Sequence, residues 1–290
     1  MPLITRQTTM KFKAAIAQID CQVGAFEKNL KHHIEFVDRA LVDGAQLVLF
    51  PELSLTGYTL RDLAWDVAID PWKCEALVPL LEKSYKISII VGFVENSSDY
   101  GIYNSAMFLE DGGIKHIHRK IYLPTYGMFE EGRYFGAGKS VAAFNSKLGR
   151  FGLLICEDLW HLSLPYLLTL DGAEAIMCLT ASPTRLSGEG TQLDNQVVNY
   201  EHHRTYARLL SNYVLFSNRV GFEDGVNFWG GSNITAPGGE MVATAKLQEE
   251  CLVYAMLDSS EVQRARRFSR HFLDERPELV LETLRRHLRR

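Results

Sequence analysis

Paired cysteines are missing from this sequence. Its five cysteines, Cys21, Cys74, Cys156, Cys178 and Cys251, form no CxxC or CxxH spacing. An odd, scattered set argues against a disulfide framework and a structural zinc site, and it suits a reducing cytoplasm. Long apolar runs are missing too. None approaches the ~18 residues that a membrane span needs, and the N-terminal MPLITRQTTMKFK has no apolar signal-peptide core. No Pro/Ser/Gly-rich linker, low-complexity segment or internal repeat interrupts the 290 residues, so one large domain is the economical expectation.

Charge of one sign is not in excess. The net charge is −4, with no general call for nucleic acid as a partner. It is unevenly spread, however. From Glu261 onward nine arginines face five acids, so this tail carries +4 and the remainder −8. The simplest reading of the tail is a solvated or interface helix. Nucleotide motifs are absent as well. No GxGxxG follows a strand, and no GxSxG nucleophile elbow occurs. Gly138–Lys139–Ser140 imitates the end of a phosphate-binding loop. That motif requires glycine at position 133, where Arg133 stands, and a helix where Val141–Phe144 reads as a strand.

What is present is an alternation of strand and helix patterns. Strands are expected at Phe12–Ile19, Leu47–Leu53, Ile87–Val94, Ala175–Thr180, Val214–Asn218 and Cys251–Leu257. Phe26, Leu30, Ile34, Val37 and Leu41 recur at helical spacing, and further helices are expected over Pro71–Tyr85 and Asp194–Leu210. Hairpins are expected about Asp111–Gly112–Gly113, Lys147–Leu148–Gly149 and Pro237–Gly238–Gly239. Helices interspersed with hairpins indicate a mixed α/β fold and not a purely parallel one.

Three strings end apolar, branched runs with reactive groups: FPEL with Glu52, HRKIYLP with Lys120 and LLICED with Cys156. A carboxylate after Leu47–Pro51 is drawn toward the interior, and partial burial raises its pKa into the range of a general base; the plain alternative is an exposed turn residue. Cys156 stands at a strand-to-helix turn, where a helix N-terminus favours the thiolate and the next amide can face an oxyanion. Its alternative is a buried structural cysteine, the role assigned to Cys178 and Cys251. Residues 116, 118 and 120 share one strand face, so Lys120 can present a fixed positive charge. His116 and His118 lack a third ligand at a recognisable spacing, and no metal is assigned to them.

Taken in order, FPEL-S-LTGY, RKIYLPTYGMFEEGRYF and ICEDLW resemble the nitrilase, or carbon–nitrogen hydrolase, superfamily, from about Lys11 to Asp258. The resemblance implies an α-β-β-α sandwich with Glu52 as base, Lys120 as oxyanion-stabilising lysine and Cys156 as nucleophile. It further implies a second glutamate at Glu131, a better match than Glu130, a pocket-lining Tyr58, and the Glu157 amide beside the thiol. The chain divides accordingly into an extension (1–10), a hydrolase domain (11–258) and an Arg-rich helical tail (259–290). GYTLRDL, LPTYGMFEEGRYF and CEDLW look most like the glutaminase domain of glutamine-dependent NAD synthetase. No synthetase segment or SGGxDS string follows, so synthesis of NAD by this chain alone is not expected.

The expected function is that of a stand-alone thiol amidase acting on a small carboxamide through a Cys156 acyl-enzyme, without metal or organic cofactor. One alternative is a glutaminase subunit that supplies ammonia to a separate synthetase; another is a catalytically silent binding protein of the same fold. The resemblance also implies a homodimer or higher homo-oligomer. Neither nucleic acid nor a membrane is expected as a partner.

Overall fold

Residues 10–184 and 193–289 are described by a computed structural model. Most of the expected 1–10 extension therefore lies outside the described residues. Fourteen strands occur among them. In chain order they are β1 (Lys11–Gln18), β2 (Leu47–Leu49), β3 (Ser88–Asn96), β4 (Ile102–Glu110), β5 (Gly113–Arg119), β6 (Phe144–Ser146) and β7 (Gly149–Ile155). They continue with β8 (Ala175–Thr180), β9 (Tyr213–Asn218), β10 (Val220–Glu223), β11 (Val226–Trp229), β12 (Asn233–Thr235), β13 (Met241–Thr244) and β14 (Cys251–Asp258). The helices are α1 (Phe26–Val42), α2 (Val78–Lys83), α3 (Glu131–Tyr134), α4 (Ser163–Leu170), α5 (Asp194–Leu210), α6 (Ser259–Phe268) and α7 (Pro277–Leu288).

The strands form two six-stranded sheets, ordered β14-β1-β2-β3-β4-β5 and β13-β12-β9-β8-β7-β6. Parallel pairing is confined to their centres, β1-β2-β3 and β7-β8-β9, with antiparallel strands outside. Successive side chains of a strand face opposite ways, so central strands that are apolar throughout give each sheet two faces to bury. Leu47, Leu49 and Ile90 point to the inner layer, where they meet Phe151, Leu153, Met177 and Leu215 of the second sheet. Val48, Ile89 and Val91 point outward beneath Phe36, Val37 and Ala40 of α1 and Leu80 of α2. On the other side, Leu164 and Leu168 of α4 and Tyr206, Ala207 and Leu210 of α5 cover Leu154, Ile176 and Val214. The layers are helix, sheet, sheet, helix, as expected.

Several boundaries differ from the expected ones. Strand β2 stops at Leu49, not Leu53. Pro51 has no N–H to continue the ladder, Leu53 takes φ +47°, and the turn lies against Gly92, where a Cβ would be 2.4 Å from Leu53 N. The segment 71–85 is a one-turn 3₁₀ helix (Glu75–Leu77) followed by short α2, because Pro79 fits only the first turn of a helix. Strand β6 begins at Phe144, not Val141, and turns tightly through Lys147 and Leu148. The β10–β11 hairpin was not anticipated, although Asp224–Gly225 is a turn signal with both residues at positive φ, +49° and +79°. Cys178 is buried core, whereas Cys251, on edge strand β14, is only half-buried.

Phe151 is fully buried between the sheets, with its ring 5.8 Å from that of Phe12 and 6.3 Å from those of Phe108 and Phe144. Phe151→Ala removes the group that both sheets share and should cost about 3–5 kcal/mol in urea unfolding, with the site residues unaltered.

Candidate active site

Strand ends bring the three strings together. The Phe50–Leu53 turn after β2 carries Glu52, the residue after β5 is Lys120, and Cys156 follows β7. Glu52 is 1 % exposed and Lys120 fully buried. The Lys120 Nζ donates to Glu52 Oε1 and to Glu131 Oε1, each at 2.6 Å. Glu52 is fixed further by Asn104 Nδ2 on Oε1 (2.8 Å) and by the Ala181 amide on Oε2 (2.8 Å). Short α3 buries Glu131 and leaves its neighbour Glu130 exposed. The Tyr58 hydroxyl also donates to Glu131 Oε1 at 2.6 Å, while Glu131 Oε2 has no partner among the described residues. Tyr58 also bounds a cavity of about 200 Å³ with Leu60, Phe129, Glu131 and Tyr134.

The electrostatics follow from this crowding. Burial opposes the Lys120 charge, but Glu131, Glu52 and Cys156 together hold its pKa well above the ordinary lysine value. Burial raises the Glu131 carboxyl to about 7 against the pull of Lys120, with repulsion from Glu52 adding to the rise. Burial likewise pushes the Tyr58 phenol up, helped by Glu131.

Cys156 corrects one expectation. Its φ is +45°, an uncommon conformation for a residue other than glycine, and the helix that opens there is the short 3₁₀ segment Cys156–Trp160. The dipole of so short a helix is small. Burial and then the charge of Glu52 push the thiol well above its usual value, outweighing the pull of Lys120. Burial and Glu52 thus act against the thiolate here.

Asp158, quoted within its string but given no role, ties the strand ends together. It is fully buried. Its Oδ1 accepts from the Ile121 and Tyr122 amides (both 3.0 Å), and its Oδ2 faces the Ile155 amide (3.1 Å) and His118 Nε2 (2.9 Å). His118 is thereby committed to Asp158, while His116 stacks on Phe144 with centroids 4.4 Å apart. Among the described residues no cluster of side chains has the makings of a metal site. Gly138 abuts the lysine strand, since a Cβ there would lie 2.2 Å from Arg119 O; close packing explains this glycine without a phosphate. Glu157, which follows Cys156 in sequence, accepts from the Tyr126 hydroxyl at 2.9 and 3.1 Å and remains partly open to solvent.

Residues 13–267 match the Carbon-nitrogen hydrolase family. The chain belongs to that family. It is 31% identical over 252 residues to the glutamine-dependent NAD(+) synthetase of Acinetobacter baylyi, covering 85% of this chain and 44% of that one. The chain thus spans less than half the length of that relative. Citrullinase of Francisella tularensis is 28% identical over 293 residues, covering 95% and 99% of the two chains. The fold is shared with the crystal structure of a carbon–nitrogen hydrolase from Helicobacter pylori G27, with a TM-score of 0.85 at 23% identity, over 95% of this chain and 98% of that one. This carbon–nitrogen hydrolase has, among its described residues, no helix long and apolar enough to cross a membrane.

Two outcomes follow for the hydrolase. Asp158→Ala orphans buried donors at roughly 1–3 kcal/mol each, so its urea midpoint should fall sharply. Alkylation of Cys156 by iodoacetamide, followed by peptide mass spectrometry, should keep accelerating above pH 9, the ordinary thiol value, because only the thiolate attacks.

Proposed function

We propose that this hydrolase is a thiol amidase that cleaves a small carboxamide. The observation that carries the reading is the buried Lys120 ammonium shared by Glu52 and Glu131 at 2.6 Å, with its field reaching the Cys156 thiol. A thiol pushed above its usual pKa calls for a base, and Glu52 is the carboxylate whose charge bears on it most. Glu52 takes the Sγ proton as sulfur attacks the carbonyl carbon. Lys120 and the Glu157 amide stabilise the oxyanion. The C–N bond breaks, Glu52 returns the proton to nitrogen, and ammonia leaves. Water then attacks the thioester, giving up a proton to Glu52, and the carboxylic acid departs with the thiol restored. Glu131, with Tyr58 on the same oxygen, orients Lys120.

Glu157 sharpens the substrate class. A partly open carboxylate on the residue that follows the nucleophile in sequence, steadied by Tyr126, suits an amide whose far end carries an ammonium, as in an amino-acid carboxamide. The relatives named for glutamine and citrulline use are compatible with that class. A second reading, a glutaminase that passes ammonia to a separate synthetase, is favoured by the NAD synthetase relatives, which this chain matches over less than half their length. It requires glutamine hydrolysis that rises when the partner is added.

The test is ammonia release from small amides, glutamine, citrulline and nitriles, combined with intact-mass detection of an acyl adduct. Carboxamides should release ammonia and leave an adduct on Cys156, and Cys156→Ala should lose both while keeping its circular dichroism spectrum. Undiminished turnover by that variant would falsify the mechanism. No ammonia and no adduct with any substrate would instead support a silent binding protein. Glu157→Gln should raise KM for glutamine about tenfold or more, the equivalent of one charge-assisted hydrogen bond, and leave KM for acetamide unchanged.

A further inference from the structure

Arg219 is a fully buried arginine with no place in the mechanism above. It leaves β9 and pairs with Glu223 of β10, itself 4 % exposed, through Nη1 and Oε1. Its Nη2 donates to Asp20 Oδ1 and to Cys21 O, both at 2.9 Å, and its guanidinium lies 4.5 Å from the Phe228 ring centre. The Glu223 carboxylate in turn accepts from the Tyr58 amide (3.0 and 3.2 Å) and the Thr59 amide (2.8 Å), 165 and 164 residues away in the chain. The approach is close: at Gly57, φ +80°, a Cβ would lie 2.7 Å from Val23 Cα and 3.0 Å from Glu223 Oε1. Phe228 also sets its ring edge-on to Tyr58, with centroids 6.1 Å apart.

A buried ion pair seldom adds stability over apolar residues of the same volume, so its retention calls for another reason. Both routes from Arg219, through Glu223 and through Phe228, end at Tyr58, whose hydroxyl shares Glu131 Oε1 with Lys120. We propose that Arg219 and Glu223 are positioning residues: the ion pair grips the 58–59 backbone and so keeps the Tyr58 hydroxyl on Glu131 beside Lys120. Neither touches the reacting atoms. The inference rests on Cys156 being the nucleophile of the proposed amidase, but it can be read from the thiol without turnover.

The test follows the pH dependence of Cys156 alkylation by iodoacetamide in wild type, Tyr58→Phe, Glu223→Gln and the Tyr58→Phe/Glu223→Gln double variant. The groups facing Glu131 are Lys120, Glu52 and Tyr58, and Glu131 repels the thiolate. Without the Tyr58 bond, Glu131 keeps its proton to higher pH and repels the thiolate less. Tyr58→Phe should therefore shift to higher pH the step, near 7 in wild type, at which ionisation of Glu131 slows the rise of alkylation. Glu223→Gln should move it the same way, and the double variant no further than Tyr58→Phe alone, because both act through one hydroxyl. Glu223→Gln leaves Arg219 unpaired, so the charge-free Arg219→Met/Glu223→Gln chain is carried in parallel with thermal melts. A lower melting temperature with a wild-type profile in that chain would assign the pair a structural role only and overturn the proposal. Shifts that add to that of Tyr58→Phe would overturn it too. Absence of turnover with an intact alkylation pattern would count against the amidase reading and leave this inference standing.

Discussion

An ammonium sealed from water must carry its counter-charges into the interior with it, and Lys120 brings two. Burying three ionised groups together is expensive, and the expense is tolerable only when every bond is short and each partner is satisfied. Glu52 meets that condition with Lys120, Asn104 and the Ala181 amide. Glu131 meets it by halves: one oxygen takes both Lys120 and Tyr58, and the other is unpartnered among the described residues. Burial, reinforced by repulsion from Glu52, lifts the Glu131 carboxyl to about 7, so it can change charge near neutrality. Around this cluster burial and the charge of Glu52 push the Cys156 thiol well above its usual pKa, against the pull of Lys120.

Rigidity around the cluster comes from buried carboxylates that bind backbone. Asp158 joins the turn of Cys156 to the strand end of Lys120, and Glu223 holds the segment that carries Tyr58. Each uses one charged side chain to saturate amides that loops of irregular shape would otherwise bury unpaired. The sandwich beneath supplies the fixed points, because the central strands of both sheets end near one another and their side chains interlock.

Much of this was legible in the chain. The apolar strands, α1 and α5, the hairpins and the layered α/β class follow from periodicity. Glu52, Lys120 and Cys156 stood out jointly, as three reactive groups at successive ends of apolar strands in strings that resemble one family, although each alone has a structural alternative. Asn104 and Glu223 did not stand out. Each is a common polar residue in an ordinary strand pattern, and its importance lies in a partner 52 or 165 residues distant. The β10–β11 hairpin was readable from Asp224–Gly225 but lay between stronger signals. The early end of β2 depended on a proline and on the close approach of Gly92, of which only the first is visible in sequence.

Sequence alone determined which groups are available: one carboxylate, one ammonium and one thiol at strand ends, with a second glutamate nearby. Those identities and their local strand context are properties of short segments, so local pattern reveals them. Tertiary structure decided their states. Protonation, hydrogen-bond partners and the fixing of Tyr58 depend on burial and on distances between segments far apart in the chain. At Cys156 burial and repulsion from Glu52 oppose the thiolate that its turn favours, against the attraction of Lys120.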